Sequence, residues 1–198
     1  GEGWAGADDA AAARLVLDRR DRLTARMADL ARQGVGSPLT RIHGDFHLGQ
    51  LLVAMGDVVL IDFEGEPSRP LALRRAKDSP WRDVAGLLRS LDYVTAMPLK
   101  DTGAGIGSGV EPGDATLWLT RLHHDAAAAF LAAYLGREGD PAAPEIPPLL
   151  DLFLLEKAAY EVAYEADHRP HWLSLPVHGL ARITKRLCPE SDDVARPD

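Results

Sequence analysis

The sequence predicts a mostly helical α+β protein with one small β-hairpin, and two observations support this fold class. Apolar residues recur at helical spacing in several long segments between residues 8 and 187. Two short apolar runs, at 51–53 and 58–61, flank the turn-forming residues Met55-Gly56-Asp57. Short apolar runs around such a turn are typical of a hairpin, and these runs are apolar enough to predict a buried one.

The first helix is predicted over residues 8–33. Leu23, Met27 and Leu30 are spaced as on one helix face, and Gly34 follows them as a stop signal. One continuous helix is therefore expected before the first loop of the chain.

The rest of the chain alternates between helices and irregular segments. Residues 41–43 are predicted to end a short strand, and the polar, proline-containing segment 62–80 to be irregular. The glycine-rich segment 100–113 predicts a flexible loop, and the Pro/Ala-rich segment 139–148 a connection. Further helices, each with apolar residues at helical spacing, are predicted at about 81–97, 114–135, 149–168 and 176–187.

Length, composition and charge exclude several classes of protein. The 198 residues suffice for one domain or one large lobe of a larger enzyme. The net charge of -8 argues against a nucleic-acid or anionic-membrane binder. Cys188 is the single cysteine, so no disulfide forms within the chain, and we interpret it as structural. No apolar run reaches the ~20 residues of a membrane span. We expect a cytoplasmic protein with no membrane partner.

Acidic residues in two segments, 41–50 and 60–67, point to phosphoryl transfer. Asp45 precedes Gln50 by five positions, and Asp62 follows twelve residues later, beyond the predicted hairpin. This order matches the catalytic loop and metal-binding segment of protein kinases, although glutamine stands where those enzymes have asparagine. Carboxylate and amide oxygens are the ligands that Mg²⁺ prefers. The pattern therefore predicts one carboxylate for the attacking hydroxyl and oxygen ligands for Mg²⁺.

Two other interpretations concern the residues around these motifs. Glu64 lies two residues beyond Asp62 and offers an oxygen to a second metal ion. His43, Asp45 and His47 alternate as zinc ligands sometimes do, but no further residue at useful spacing completes the ligand set. His43 is better interpreted as a structural histidine that braces the loop.

The segments His43 to Gln50 (HGDFHLGQ) and Ile61 to Pro67 (IDFEGEP) resemble those of the aminoglycoside-phosphotransferase-like kinases, and within them the bacterial maltokinases. The resemblance covers about residues 40–187. It implies that Asp45 is the catalytic base and that ATP and Mg²⁺ are the cofactors. It also implies that Gln50 and Asp62 hold the metal, with Glu64 nearby.

The same resemblance implies a bilobal, protein-kinase-like fold, of which residues 1–198 would form the C-terminal lobe. Within it, the catalytic loop and metal motif would occupy 41–66, and a helical substrate subdomain 81–187. The N-terminal lobe that contacts ATP is expected to be absent from this chain, and the glycine-rich segment does not replace it.

The predicted helix 149–168 has a polar and an apolar face. We assign Leu152, Leu155, Ala159, Val162, Ala163 and Ala166 to the apolar face, and Lys157, Tyr160, Glu161, Tyr164, Glu165 and His168 to the polar face. The pattern alone favours a solvated surface with Glu–Lys pairs. The maltokinase resemblance instead implies sugar contacts at Lys157, Tyr160, Glu161 and Tyr164. His43, His47 and Trp172 complete the predicted substrate site, Trp172 either as a wall or as an anchor of the helix end.

Three functional hypotheses follow. In the first, a maltokinase transfers the γ-phosphate of ATP to maltose, giving maltose 1-phosphate. In the second, an amino-sugar kinase acts on glucosamine, whose ammonium group Glu161, Glu165 and Asp167 would bind. In the third, the chain is a catalytically incomplete sugar-binding lobe beside a trehalose synthase domain.

Overall fold

The computed structural model describes residues 6–101, 112–136 and 147–190. In these residues helices predominate, and the two strands form one antiparallel hairpin, as predicted. Residues 102–111 of the predicted glycine-rich loop and most of the 139–148 connection lie outside the described residues, while the ends of that loop, 100–101 and 112–113, belong to helices. The elements in chain order are α1 (Ala7–Asp18), α2 (Arg20–Gln33), β1 (Leu51–Ala54), β2 (Asp57–Leu60), α3 (Leu71–Arg75), α4 (Trp81–Asp101), α5 (Pro112–Tyr134), α6 (Pro148–His168) and α7 (Ser174–Leu187).

The continuous helix predicted over 8–33 is wrong, because the segment forms two helices that meet at Arg19. The backbone of Arg19 leaves the helical conformation, with φ −101° and ψ 8°. Its guanidinium donates to the carbonyl oxygen of Cys188 at 2.8 Å. The break lets α1 pack against α7 while α2 packs against α6. Helical spacing of the apolar residues continues across the break, which is why the pattern does not reveal it.

The hairpin is correctly predicted, but its burial is not. Leu51 pairs with Leu60 and Ala54 with Asp57, leaving a two-residue turn. Both turn residues have positive φ, 55° at Met55 and 83° at Gly56, as the right-handed twist of a two-residue hairpin requires. Neither strand packs extensively against a helix of the described residues, so the apolar side chains of Leu52, Val53, Val58, Val59 and Leu60 are exposed.

Segments 41–43 and 62–80 also differ from expectation. No strand forms at 41–43; a single antiparallel bridge joins Thr40 to Asp78 instead. The segment predicted as irregular contains the short helix α3. The bridge attaches the chain just before the 41–50 loop to the chain just before α4.

Helix α6 lies at the centre of the helical body. It packs against α2, α4 and α7. One core cluster joins it to α2 and α7 through Leu23, Leu155, Ala158, Ile183 and Cys188, and a second joins it to α4 and α5 through Val84, Ala85, Leu131, Leu150 and Phe153. Cys188 is therefore buried in the core, as expected of a structural cysteine. Within the described residues, no helix is both long and apolar enough to cross a membrane.

Candidate active site

The loop that carries Asp45 is attached to α4 by a single carboxylate. Asp83, in the first turn of α4, accepts the backbone N–H of His43 at 2.6 Å and that of Gly44 at 2.9 Å. Burial raises the pKa of the Asp83 carboxyl, although these two hydrogen bonds favour its charged form. The backbone on the N-terminal side of Asp45 is therefore fixed by hydrogen bonds to α4.

Farther along α4, a glycine and a serine hold the other side of the loop. A Cβ atom built on Gly86 would lie 2.4 Å from the carbonyl oxygen of Phe46, so only glycine lets the loop approach this closely. The Ser90 hydroxyl accepts the N–H of Leu48 at 3.1 Å. Sequence analysis missed both residues. Their signal is the spacing i, i+3 and i+7 from Asp83, which places a polar and small-residue stripe on one helix face.

His43 is a brace between the two motif segments. Its side chain is buried, and Nε2 donates to the carbonyl oxygen of Ile61 at 2.8 Å. Its ring lies 5.5 Å from that of Phe46 and 4.9 Å from that of Phe63. These contacts fit the structural role predicted for His43; its side chain does not line the cavity described below, and its contact with substrate stays a prediction.

Gln50 and Asp62, the predicted metal ligands, lie side by side. The amide Nε2 of Gln50 is 3.3 Å from Oδ2 of Asp62, and Gln50 is buried while Asp62 is exposed. Asp62 has a φ of 61°, a left-handed conformation that is uncommon for a residue other than glycine. Such strain concentrates at functional sites, where the surrounding structure maintains it.

Gln50 and Asp62 offer few oxygen ligands, which suits Mg²⁺ better than a metal ion whose ligands all come from protein side chains. Among the described residues, no group of three or more His, Cys, Asp and Glu side chains could hold a metal ion, which also speaks against zinc at His43, Asp45 and His47. Mg²⁺ commonly takes one or two protein oxygens and completes its shell with water and phosphate. Glu64 is exposed nearby, and its role as a further ligand stays a prediction.

A cavity of about 820 Å³ lies between the Asp45 loop and α6. Its lining joins the predicted catalytic residue to most of the predicted sugar-binding residues. The predicted residues that line it are Asp45, His47, Lys157, Tyr160, Glu161 and Tyr164, and they are joined there by Glu66, Ser90, Tyr93, Glu165, Asp167, His168 and Arg169, among others. Trp172 does not line this cavity; it lies in the 3₁₀ turn Pro170–Trp172 that follows α6.

The face of α6 that packs inward is the predicted one only in part: Leu155 is buried as expected, but two glutamates are buried with it. Glu161 and Glu165, assigned to the polar face, are buried, whereas the supposedly apolar Ala159 and Ala163 are exposed. Glu165 is only 2% exposed and accepts two hydrogen bonds from Arg169, at 2.9 and 2.6 Å. Buried carboxylates are tolerated where a cation pairs with them, which the helical pattern alone does not reveal.

Aromatic rings follow one another along the cavity side of α6. The rings of Tyr160 and Tyr164 stack with centroids 6.1 Å apart, and those of Tyr164 and His168 with centroids 4.3 Å apart. The ammonium of Lys157 lies 5.2 Å from the centre of the Tyr160 ring. Neighbouring side chains thus cover part of the ring faces expected to stack on a sugar, so ring edges and hydroxyl groups become the more accessible contacts.

Behind the cavity, Asp92 contacts basic side chains on three helices. Its carboxylate pairs with Arg89 of α4, with Arg182 of α7 at 2.8 Å, and with His123 of α5 at 2.7 Å. Burial raises the pKa of this carboxyl, but the hydrogen bond from His123 and the charges of Arg89 and Arg182 outweigh it, so that the pKa lies below its ordinary value.

A lowered pKa makes Asp92 a pH-dependent contributor to stability. Its stabilisation is present above the unfolded-state pKa of about 3.9 and is lost as pH falls through the lower pKa of the folded state. We expect Asp92→Asn to lower the free energy of unfolding at pH 6, by an amount that shrinks below pH 3.9. Urea denaturation of both proteins across this range measures it. A difference independent of pH would contradict the assignment.

Comparison with known proteins extends these observations. Residues 2–65 match the model of the phosphotransferase enzyme family, APH. A glucosamine kinase of Streptacidiphilus jiangxiensis is 33% identical over 146 residues, covering 71% of this chain and 31% of the relative. A glucosamine kinase of Mycolicibacterium smegmatis is 31% identical over 175 residues, covering 85% and 40%.

Solved structures give the same relationship. A glucosamine kinase in complex with glucosamine, ADP and inorganic phosphate has a TM-score of 0.61 and 27% identity, and the match covers 96% of this chain and 49% of that one. A crystal form of glucosamine kinase gives a TM-score of 0.61 with 28% identity, covering 85% and 40%. The chain thus spans less than half the length of these relatives. In sequence and in fold the chain is similar to these kinases, and the residues that match the phosphotransferase family model include Asp45 and Asp62.

Proposed function

We propose that the protein carrying this chain is an ATP-dependent amino-sugar kinase with glucosamine as its preferred acceptor. The observation that carries the proposal is that two further carboxylates, Glu161 and Asp167, line the same cavity as Asp45. A carboxylate forms a charge-assisted hydrogen bond with an ammonium group, which a neutral sugar lacks. The names of the relatives favour the same acceptor, and they favour it over maltose.

Each residue of the site has a role in this proposal. Asp45 accepts the proton of the acceptor hydroxyl as that hydroxyl attacks the γ-phosphate; the bond between the β- and γ-phosphates breaks and ADP leaves. Gln50 and Asp62 would hold Mg²⁺, which neutralises charge on the nucleotide phosphates when it is bound. Lys157 and Tyr160 line the cavity near Asp45 and are suited to donate hydrogen bonds to sugar hydroxyls.

Three parts of the sequence-based hypothesis are still predictions. These are the single-lobe organisation of residues 1–198, an association with trehalose synthase, and a cytoplasmic location. Maltose enters the test below as the competing acceptor.

Calorimetric titration of the protein with glucosamine, glucose and maltose tests the acceptor. Glucose is the matched control, because it differs from glucosamine by a hydroxyl in place of the amino group. We expect glucosamine to bind at least about tenfold more tightly than glucose, since a hydrogen bond to a charged group contributes about 1.5–3 kcal/mol. Tighter binding of maltose would instead support the maltokinase hypothesis. Binding of glucosamine without any transfer from Mg-ATP would support the sugar-binding lobe.

A further inference from the structure

Arg89 carries a charge into the middle of the helical body, next to the cavity. Its side chain is 1% exposed. Nε and Nη2 both donate to Oε2 of Glu161, at 3.0 and 2.6 Å, and Nη1 pairs with Asp92. Gly179 of α7 makes room for the guanidinium, because a Cβ atom at that position would lie 2.4 Å from Nη1. The position of the guanidinium is therefore fixed from three sides.

This pairing leaves one oxygen of Glu161 for a ligand. Both Arg89 donors use Oε2, and among the described residues no hydrogen bond is made to Oε1. The Glu161 side chain is 11% exposed and lines the cavity. Oε1 has neither a hydrogen-bond partner in the described residues nor full burial, so this oxygen is accessible. Burial raises the pKa of the Glu161 carboxyl, and the charge of Arg89 opposes that rise.

The neighbouring Glu165 differs in this respect. It also lines the cavity, but Arg169 donates to both of its oxygens, and the hydroxyl of Tyr93 lies 3.5 Å from Oε1. A carboxylate that is satisfied on both oxygens has less to offer an incoming cation. Glu161 is thus the buried carboxylate of the cavity with an oxygen to spare.

We propose that Arg89 is a positioning residue that holds Glu161 charged, with Oε1 directed at the ammonium group of the acceptor, and so sets the preference for an amino sugar over a neutral sugar. This inference rests on the proposed amino-sugar acceptor. Arg89 acts only through Glu161, because the buried guanidinium does not itself line the cavity.

The test measures the affinities of Arg89→Met and Arg89→Lys for glucosamine and for glucose by calorimetry. We expect Arg89→Met to weaken glucosamine binding at least about tenfold more than glucose binding, because the ammonium loses a charged, oriented partner. Arg89→Lys keeps the charge but not the two-pronged contact, so its selectivity should lie between those of Arg89→Met and the wild type. A purely structural role would weaken both sugars equally.

Two further variants keep the result interpretable. Arg186→Met removes a more exposed arginine, which pairs with the buried Asp151 of α6 away from the cavity, and should leave the ratio of the two affinities unchanged. Glu161→Gln should abolish the preference for glucosamine over glucose directly. This variant provides the test if Arg89→Met does not fold. An unchanged ratio of the two affinities in both Arg89→Lys and Glu161→Gln would overturn this inference but not the proposed function. Wild-type protein that neither binds nor phosphorylates glucosamine would overturn the proposed function as well.

Discussion

Asp45→Asn is expected to reduce phosphoryl transfer by about 10²–10⁴-fold, the usual contribution of a general base. The amide has the shape of the carboxylate but cannot accept the proton of the attacking hydroxyl. Asp45 lines the cavity, and the loop that carries it is attached to α4 on both sides. The fold should therefore survive the change, with unchanged affinity for the acceptor hydroxyls. Steady-state kinetics under saturating Mg-ATP separate the fall in kcat from any change in KM.

The matched control for this variant is Asp125→Asn on α5. The Asp125 side chain is 79% exposed and does not line the cavity, so this change removes the same charge without touching the site. It should leave the rate within about twofold of the wild type, since exposed carboxylates contribute little. An Asp45→Asn protein as active as this control would show that Asp45 is not the base.

Gly86→Ala should reduce activity by about 10²-fold while changing stability little. The new Cβ would lie 2.4 Å from the Phe46 carbonyl oxygen and would displace the loop that carries Asp45. Overpacking costs about 1–3 kcal/mol, but alanine in a helix interior recovers about 1 kcal/mol relative to glycine. A misplacement of about 1 Å in a reacting group can cost about 10²-fold in rate, so activity is the more sensitive readout.

Urea denaturation and initial rates, measured on the same preparation, distinguish these two effects. Gly6→Ala is the control, because no atom lies within 4 Å of a Cβ built at Gly6. That variant should retain the wild-type rate. A Gly86→Ala protein with full activity would mean that α4 does not set the position of the catalytic loop.

Local patterns predicted the helices and the hairpin because spacing and turn residues act over a few positions. The same patterns failed where contacts between residues far apart in the sequence determine the structure. The break at Arg19 depends on a hydrogen bond to the carbonyl of Cys188, on the far end of the chain. The exposure of the hairpin depends on what packs against it, which the apolar character of 51–53 and 58–61 does not specify.

The candidate site, like the fold, was predicted where local spacing determines the structure and missed where contacts between distant residues determine it. The spacing of Asp45, Gln50 and Asp62 correctly brings the latter two side by side, since a short hairpin fixes the path between them. The support from Gly86 and the burial of Glu161 could not be predicted, because they require knowing which face of α4 and of α6 turns inward. Helix α6 turns two glutamates inward, where Arg89 of α4 pairs with Glu161 and Arg169 at the end of α6 pairs with Glu165.

The acceptor is the part of the account that the motifs leave open. Motifs for the base and the metal are shared by kinases that act on very different acceptors, since they concern the phosphate and not the sugar. We expect the preference between glucosamine and maltose to depend instead on the side chains of α6 that line the cavity. The carboxylates on that wall are the reason we favour the amino sugar.

The most direct test is ³¹P NMR of the products formed by the protein with Mg-ATP and either glucosamine or maltose. With glucosamine, the account predicts a new phosphomonoester signal that grows in step with ADP and is absent from the Asp45→Asn protein. A phosphomonoester formed from maltose and not from glucosamine, or ADP and inorganic phosphate without any sugar phosphate, would contradict it.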